Sequence, residues 1–332
     1  MFGSHLSIAG GIFHAIEAAV DLKLDCVQVF TANQRQWNVR APDPAAVTKW
    51  REALAGAWGT GPEPRAVAHD SYLINLASPD KELWNKSIRA MANEINRCAD
   101  LGITRLVSHP GAHMGKGIDA GINRIADAYA NVLGKTPDAN VMVCLENTAG
   151  GGTTLGRTFE ELAQLRDTLI ARIGRAAHAR FGFCLDTCHA LAAGYDIAAR
   201  EGEQGDGRKR SHAQGFELGR AMLDEFDDVC GLNHLQVIHM NDSKAPCGSR
   251  RDRHEHIAKG HVAPGAFAAV ILCPHLANRW DGLGVPMILE TPKGVDDRGR
   301  AWDTKNLQTL RRLVRISAPP TRPSRERKVA LA

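Results

Sequence analysis

The chain has 332 residues, 44% hydrophobic and 23% charged, the composition of a soluble globular protein with enough length for one large domain or two ordinary ones. No run approaches ~18 uninterrupted apolar residues, so no membrane-spanning helix is expected. The N-terminus lacks the charged and then apolar regions of a signal peptide. The formal charge is +4, and Arg322, Arg325, Arg327 and Lys328 against Glu326 place +3 of it within Pro319–Ala332. The body is therefore nearly neutral, and bulk charge alone gives no argument for nucleic acid.

In chain order, Phe2 to Ile8 reads as a first strand, broken by Gly10-Gly11, and Ile12, Ala15, Ile16, Ala19 and Val20 form a helical stripe. Cys26 to Phe30 is strand-like and leads into a polar loop from Thr31 to Arg40. Pro42-Asp43-Pro44 opens a helix bearing Val47, Trp50 and Leu54. The same alternation repeats along the chain. Ala66–Ala68 ends at His69, Arg105–Ser108 at His109, Val141–Leu145 at Glu146, Gly182–Leu185 at Asp186, Leu235–Ile238 at His239, and Met287–Leu289 at Glu290. Apolar helical stripes separate these strands, and Leu307, Leu310, Leu313 and Val314 close the chain.

Eight alternating strand–helix units without a linker predict an α/β protein, a (β/α)8 TIM barrel with its site at the C-terminal ends of the strands. An open doubly wound sheet would not explain ligand-type residues at six strand ends. Residues 1–316 are expected to form this single domain. The Gly-rich, charged stretch near residues 199–212 reads as a mobile surface insertion, and 317–332 as a disordered basic tail. The eight cysteines are scattered through apolar segments rather than set in a disulfide framework, which suits a reducing cytoplasm. Cys184 and Cys188 flank Asp186 but read as packing residues.

The strand-end residues are His69, His109, Glu146, Asp186, His239 and Glu290. His189 follows Asp186 by three, and Asp252 and His254 lie two apart in a polar loop. Five histidines and four carboxylates make nine candidate ligands, all N or O and none Cys. A structural zinc normally uses Cys, whereas imidazole and carboxylate with open positions suit catalytic Zn or Mn. Nine are too many for one ion and suit two or three if a carboxylate bridges. His5, His256 and His261 lie near this machinery and read as hydrogen-bonding residues.

The longer motifs around these positions are Asn33-Gln-Arg-Gln-Trp37, His69-Asp-Ser-Tyr-Leu-Ile-Asn75, His109-Pro-Gly and Leu145-Glu-Asn-Thr-Ala-Gly150. Further along come Cys184-Leu-Asp-Thr-Cys-His189, His239-Met-Asn-Asp-Ser-Lys244, Asp252-Arg-His-Glu-His256 and Ile288-Leu-Glu-Thr-Pro-Lys293. From about Gly3 to Val314 the chain resembles the endonuclease IV family of metal-dependent apurinic/apyrimidinic (AP) endonucleases. The resemblance implies a (β/α)8 barrel holding three zinc ions, with Mn2+ an alternative at one or more sites. It implies hydrolysis of duplex DNA on the 5′ side of an abasic site, and removal of 3′-blocking groups. It assigns His69, His109 and Glu146 to one ion, and Glu146 again with Asp186, His239 and Glu290 to a second. The third would take His189, Asp252 and His254. Glu146 and Glu290 are expected to be catalytic as well as ligating, and Arg35 and Tyr72 to enter the DNA base stack. A monomer is expected.

The chain departs from the family pattern at Arg200–His212, at an enlarged Ala277–Val285 loop and in the basic tail. The alternative is a metal-dependent sugar isomerase or epimerase on the same type of barrel, which would need one or two ions and a closed pocket. A non-catalytic nucleic-acid binder would have no need of nine convergent N/O groups.

Overall fold

Eight short parallel strands close into a barrel in the computed structural model, which describes residues 1–202 and 207–317. They are β1 (Phe2–His5), β2 (Cys26–Phe30), β3 (Ala66–His69), β4 (Arg105–Ser108), β5 (Met142–Glu146), β6 (Phe181–Asp186) and β7 (Leu235–His239). After a small antiparallel ribbon of β8 (Asp242–Ser243) and β9 (His254–Glu255) comes the eighth barrel strand, β10 (Met287–Leu289). Each barrel strand pairs with the next, and β1 pairs with both β2 and β10, so no edge is left open. The expected (β/α)8 fold is the observed one.

Side chains of a strand alternate between its two faces, and this period of two builds the site. Met1, Cys26, Val67, Val107, Cys144, Cys184, Val237 and Ile288 form a cluster of their own, separate from the main core, with Trp280 packed against it. Two residues further along, Gly3 follows Met1, and a polar group stands in each of the other seven places: Gln28 after Cys26, His69 after Val67, and His109 after Val107. Glu146, Asp186, His239 and Glu290 follow Cys144, Cys184, Val237 and Ile288 in the same way. An apolar plug thus fills the lower barrel, and polar side chains crown it.

The opposite faces of the strands pack on the surrounding helices. These include α1 (His14–Asp21), α2 (Pro44–Trp58), α3 (Lys81–Leu101), α4 (Ile118–Lys135) and α5 (Phe159–Ile173). A short α6 (Thr187–Ala193) follows β6, and α7 (His212–Cys230), α8 (Pro264–Leu272) and the last helix, Trp302–Ser317, complete the layer. Trp50, Met91, Ile95, Tyr129, Phe159, Phe226 and Phe267 are fully buried there, each burial being worth roughly 1.5–3 kcal/mol for a large apolar side chain. Side-chain caps start the helices: Asp80 accepts from the Leu83 amide, Thr158 from Glu161, and Ser211 with Gln214 forms a capping box.

The first strand is shorter than expected. It stops at His5, whose register partner is Gln28, and Ser7 to Ala9 open into a loop. The expected insertion is anchored at both ends: Arg200 bridges Lys209, Arg210 pairs with Asp196, and Ser211 already caps α7. Its residues 203–206 lie outside the described residues. Ser317 still belongs to the last helix, and the rest of the expected tail, 318–332, also lies outside them.

Candidate metal centre

The nine side chains singled out in the sequence gather at the C-terminal mouth of the barrel. Their ligand atoms form three groups that contain no cysteine: His69, His109 and Glu146; Glu146, Asp186, His239 and Glu290; and His189, Asp252 and His254. Glu146 belongs to two of them. Its Oε2 lies 3.3 Å from His69 Nε2 and 3.0 Å from His109 Nε2, while its Oε1 lies 2.9 Å from His239 Nδ1. The third group is tied by Asp252, 3.2 Å from His189 Nε2 and 3.3 Å from His254 Nε2. His189 reaches the centre because Asp186 ends β6 and caps α6, accepting from the His189 amide at 2.8 Å.

Four of the imidazoles share one arrangement. His69 Nδ1 is 2.9 Å from the Asp70 carbonyl, His189 Nδ1 2.9 Å from the Asn147 carbonyl, and His254 Nδ1 3.2 Å from the Glu290 carbonyl. His239 Nε2 is 2.9 Å from Gln28 Oε1. Each of these oxygens only accepts, so each of these nitrogens donates. In a neutral ring the other nitrogen is then bare, and in all four it faces carboxylates. His254 Nε2 is buried and has no hydrogen-bond partner among the described residues. His239 Nδ1 faces Glu146, Glu290 at 3.2 Å and Asp186 at 3.8 Å, three carboxylates that one nitrogen cannot satisfy. Bare imidazole nitrogens converging with carboxylates, each ring held from behind, are the donor set a divalent cation takes.

Protons and a cation compete for the same ring nitrogens, and the electrostatics show how strongly the carboxylates attract either. Burial disfavours charge on His69, yet its hydrogen bonds to Asp70 and Glu146 hold its pKa well above the ordinary histidine value. Burial is likewise outweighed at His189 by Asp186 and Asp252, and at His239 by Glu290 and Glu146. Glu146, despite complete burial, is held well below the usual carboxylate range by His239 and His109, and Glu290 by His239 and His5. Asp252 is brought down to about 2, where burial loses to its bond with His189. The centre keeps its carboxylates ionised and draws positive charge toward itself.

Outside the three groups, Arg35 is exposed in the loop after β2, and Tyr72 is 65% exposed in the loop after β3. Tyr72 stands edge-on to Phe30 at 5.6 Å and lies 5.8 Å from the His69 ring, on the rim of the centre. A cleft of about 330 Å³ runs beside it, lined by Tyr72, His109, His189, Arg250 and Asp252. His5 Nδ1 lies 3.2 Å from Glu290, whereas His256 stacks on Trp302. Cys184 and Cys188 come near the ligand atoms, but burial pushes both thiols up, Cys188 to about 12, so they pack as thiols.

Three residues in this machinery were not singled out from the sequence. Gln28 backs His239 and Glu290. Asn147 brackets Asp186, accepting from its amide at 2.6 Å and donating to its carbonyl at 3.1 Å. Asn241 donates to Asp186 Oδ2 at 2.6 Å and accepts from the Glu290 amide at 2.8 Å. Gln28 left a signal, a polar residue at an inward position of the apolar strand Cys26–Phe30, in step with the ligand positions of the other strands.

The model of a family described as xylose isomerase-like TIM barrel matches residues 16–312. A probable endonuclease 4 of Chloroflexus aurantiacus is 42% identical over 313 residues, 94% of this chain and 98% of that one. The chain belongs to the endonuclease IV family. It is thus a hydrolase of the endonuclease IV type. The crystal structure of endonuclease IV from Thermus thermophilus is similar at 33% identity and a TM-score of 0.74, covering 95% of this chain and 99% of that one. A D-tagatose 3-epimerase-like protein shares the fold alone, with a TM-score of 0.64 at 16% identity, 95% of this chain and 97% of the other being covered. The barrel is therefore common ground between the endonuclease IV family and sugar epimerases, while the sequence likeness lies with the nucleases.

Proposed function

We propose that this chain is a DNA repair enzyme that hydrolyses duplex DNA on the 5′ side of an abasic site, leaving a 3′-hydroxyl and a 5′-deoxyribose phosphate. The same chemistry would remove 3′-blocking groups, since these too are esters of a 3′ phosphate. Three divalent cations per chain would serve it, zinc at each position or manganese at one or more. His69, His109 and Glu146 would hold one; Glu146, Asp186, His239 and Glu290 a second; His189, Asp252 and His254 the third. The observation that carries the reading is Glu146, one fully buried carboxylate with an oxygen turned to each of two groups.

When bound, such ions supply hydroxide at neutral pH, a polarised phosphoryl oxygen and a stabilised 3′ leaving oxygen. The chain's own residues do the rest. The carbonyl-bound imidazoles present bare nitrogens, and Glu146 and Glu290 stay ionised. The His109 ring, a third exposed, and the half-exposed Asp252 leave the centre open to a phosphodiester. Arg35 and Tyr72 on the rim would fill the stack after the abasic nucleotide swings out, a flip that costs least where no base is paired. No helix of the described residues is long and apolar enough to cross a membrane. Eight unpaired cysteines support a cytoplasmic enzyme, which we take to act as a monomer.

The test is incubation of the metal-loaded protein with a duplex carrying one abasic site, with mapping of both new ends. A cut 5′ to the site with a 3′-hydroxyl is expected. An intact duplex, or a cut elsewhere with other ends, would reject the assignment. Metal analysis adds a second arm, since three ions per chain set this reading apart from an epimerase with one or two.

A further inference from the structure

Gln28 is a fully buried amide in the barrel interior whose two ends meet two different candidate ligands. Its Oε1 lies 2.9 Å from His239 Nε2, and its Nε2 lies 2.6 Å from Glu290 Oε1. A second Nε2 contact, 3.0 Å to His5 Nδ1, uses the other side of the amino group. An amide oxygen can only accept, so His239 Nε2 must carry a proton, and in the neutral ring Nδ1 then presents its lone pair to the centre. An amide NH2 can only donate, so it takes Glu290 Oε1 and leaves Oε2 facing His239 Nδ1 at 3.2 Å. The two contacts lock each other. Turning the amide over would set its NH2 against an N–H and its oxygen against a carboxylate.

We infer that Gln28 is a positioning residue for a divalent cation in the Glu146, Asp186, His239 and Glu290 group, fixing the His239 tautomer and the Glu290 carboxylate with one amide. The inference rests on the proposed function for the presence of the ion, and concerns how this chain prepares the place for it. Barrel closure makes it possible. Gln28 comes from β2, His239 and Glu290 from the strands ending the chain, and β1 between them contributes only Gly3 and His5 to that side. A Cβ at Gly3 would stand 2.7 Å from the Cys26 carbonyl and 2.8 Å from Ile288, so the apolar layer beneath the amide leaves no room for a side chain on β1. The amide spans from β2 to β7 across the barrel mouth, with His5 of β1 beside it.

Groups that hold metal ligands from behind typically change metal affinity about 10–100-fold when removed. Two variants separate the roles. Gln28→Leu keeps the volume and removes both contacts, whereas Gln28→Glu keeps an acceptor for His239 and turns the donor to Glu290 into a second carboxylate. Wild type and both variants are loaded with cobalt, and metal content, the visible ligand-field spectrum and loss of metal to a chelator are recorded with far-UV circular dichroism. The expected result is folded protein in which one cobalt per chain leaves about 10–100-fold more readily, with an altered spectrum, while the others stay. Cobalt content, spectrum and retention equal to wild type in both variants would overturn the inference, as would a failure of both to fold, which would make Gln28 a packing residue. A wild-type chain that binds no divalent ion would instead sink the proposed function, so the two failures are distinct.

Discussion

Ser71 donates its hydroxyl to the Gln34 carbonyl at 2.7 Å, and so ties the loop bearing Tyr72 to the loop bearing Arg35. The two loops are thereby joined beside the centre on the Tyr72 side. Replacing both Arg35 and Tyr72 with Ala should weaken binding to an abasic duplex far more than to an intact one, with metal content unchanged. Stacking on an aromatic side chain is worth roughly 1–3 kcal/mol, so a loss on that scale is expected for the lesion. Matched duplexes in a catalytically dead background provide the comparison. Equal losses on both would mean that these residues only grip the backbone.

Glu146→Gln should keep the fold and lose cleavage. The amide keeps the shape, but it is a neutral and poor bridge between two cations, and its NH2 end offers a cation no lone pair. The fall should exceed the roughly 100–1,000-fold seen when a single preorganised electrostatic group is removed. Steady-state cleavage of an abasic duplex by purified protein measures it, and near-wild-type turnover would reject the bridging role.

Chelation should destabilise the protein. Glu146, Asp186 and Glu290 crowd His239 within one buried group, and removing cations leaves their mutual repulsion uncompensated. An ion at 1,000 times its dissociation constant adds about 4 kcal/mol to folded stability. Thermal unfolding with and without chelator reads this directly; a melting temperature indifferent to chelation would argue that no cation is held there.

Asp242→Asn should damage the third group from a distance. The Asp242 carboxylate accepts from the Ser243, Lys259, Gly260 and Val262 amides at 2.7 to 3.1 Å, pinning the segment that follows Asp252 and His254. An amide NH2 would face two of those N–H groups in either orientation, at a cost of about 1–3 kcal/mol for each unsatisfied group. Gly260→Ala should act in the same direction, because a Cβ there would meet the Ser243 carbonyl. Both should lower the unfolding temperature and the metal stoichiometry together. A stability loss with full metal content would separate this segment from the centre.

Thiol reagents at pH 8 should find little in the native protein. Burial pushes Cys26, Cys144, Cys188 and Cys230 up to about 12, so only about one thiol in 10,000 is ionised there. Cys247 and Cys273, which are only partly buried, should react first and slowly, and all eight cysteines after unfolding. Rapid modification of a buried cysteine in the folded protein would show that the barrel opens more readily than its packing suggests.

The strands and their end residues were legible in the sequence because both signals are local. Short, largely apolar runs of three to five residues stop at a His, Asp or Glu at six strand ends, and the expected strands Cys26–Phe30, Arg105–Ser108 and Met287–Leu289 have the observed bounds. The alternation of strand and helix then leaves a barrel as the arrangement that brings six strand ends together. What the sequence could not determine is which atoms face one another. Gln28 and His239 are 211 residues apart and meet only because β1 joins β2 to β10 and closes the sheet. The same closure sets Asn147 and Asn241 behind Asp186, turns the bare nitrogen of each carbonyl-bound ring inward, and gives Glu146 two neighbours on each side. Strand periodicity dictates which side chains enter the barrel. Only the register and curvature of the closed sheet decide which of them touch.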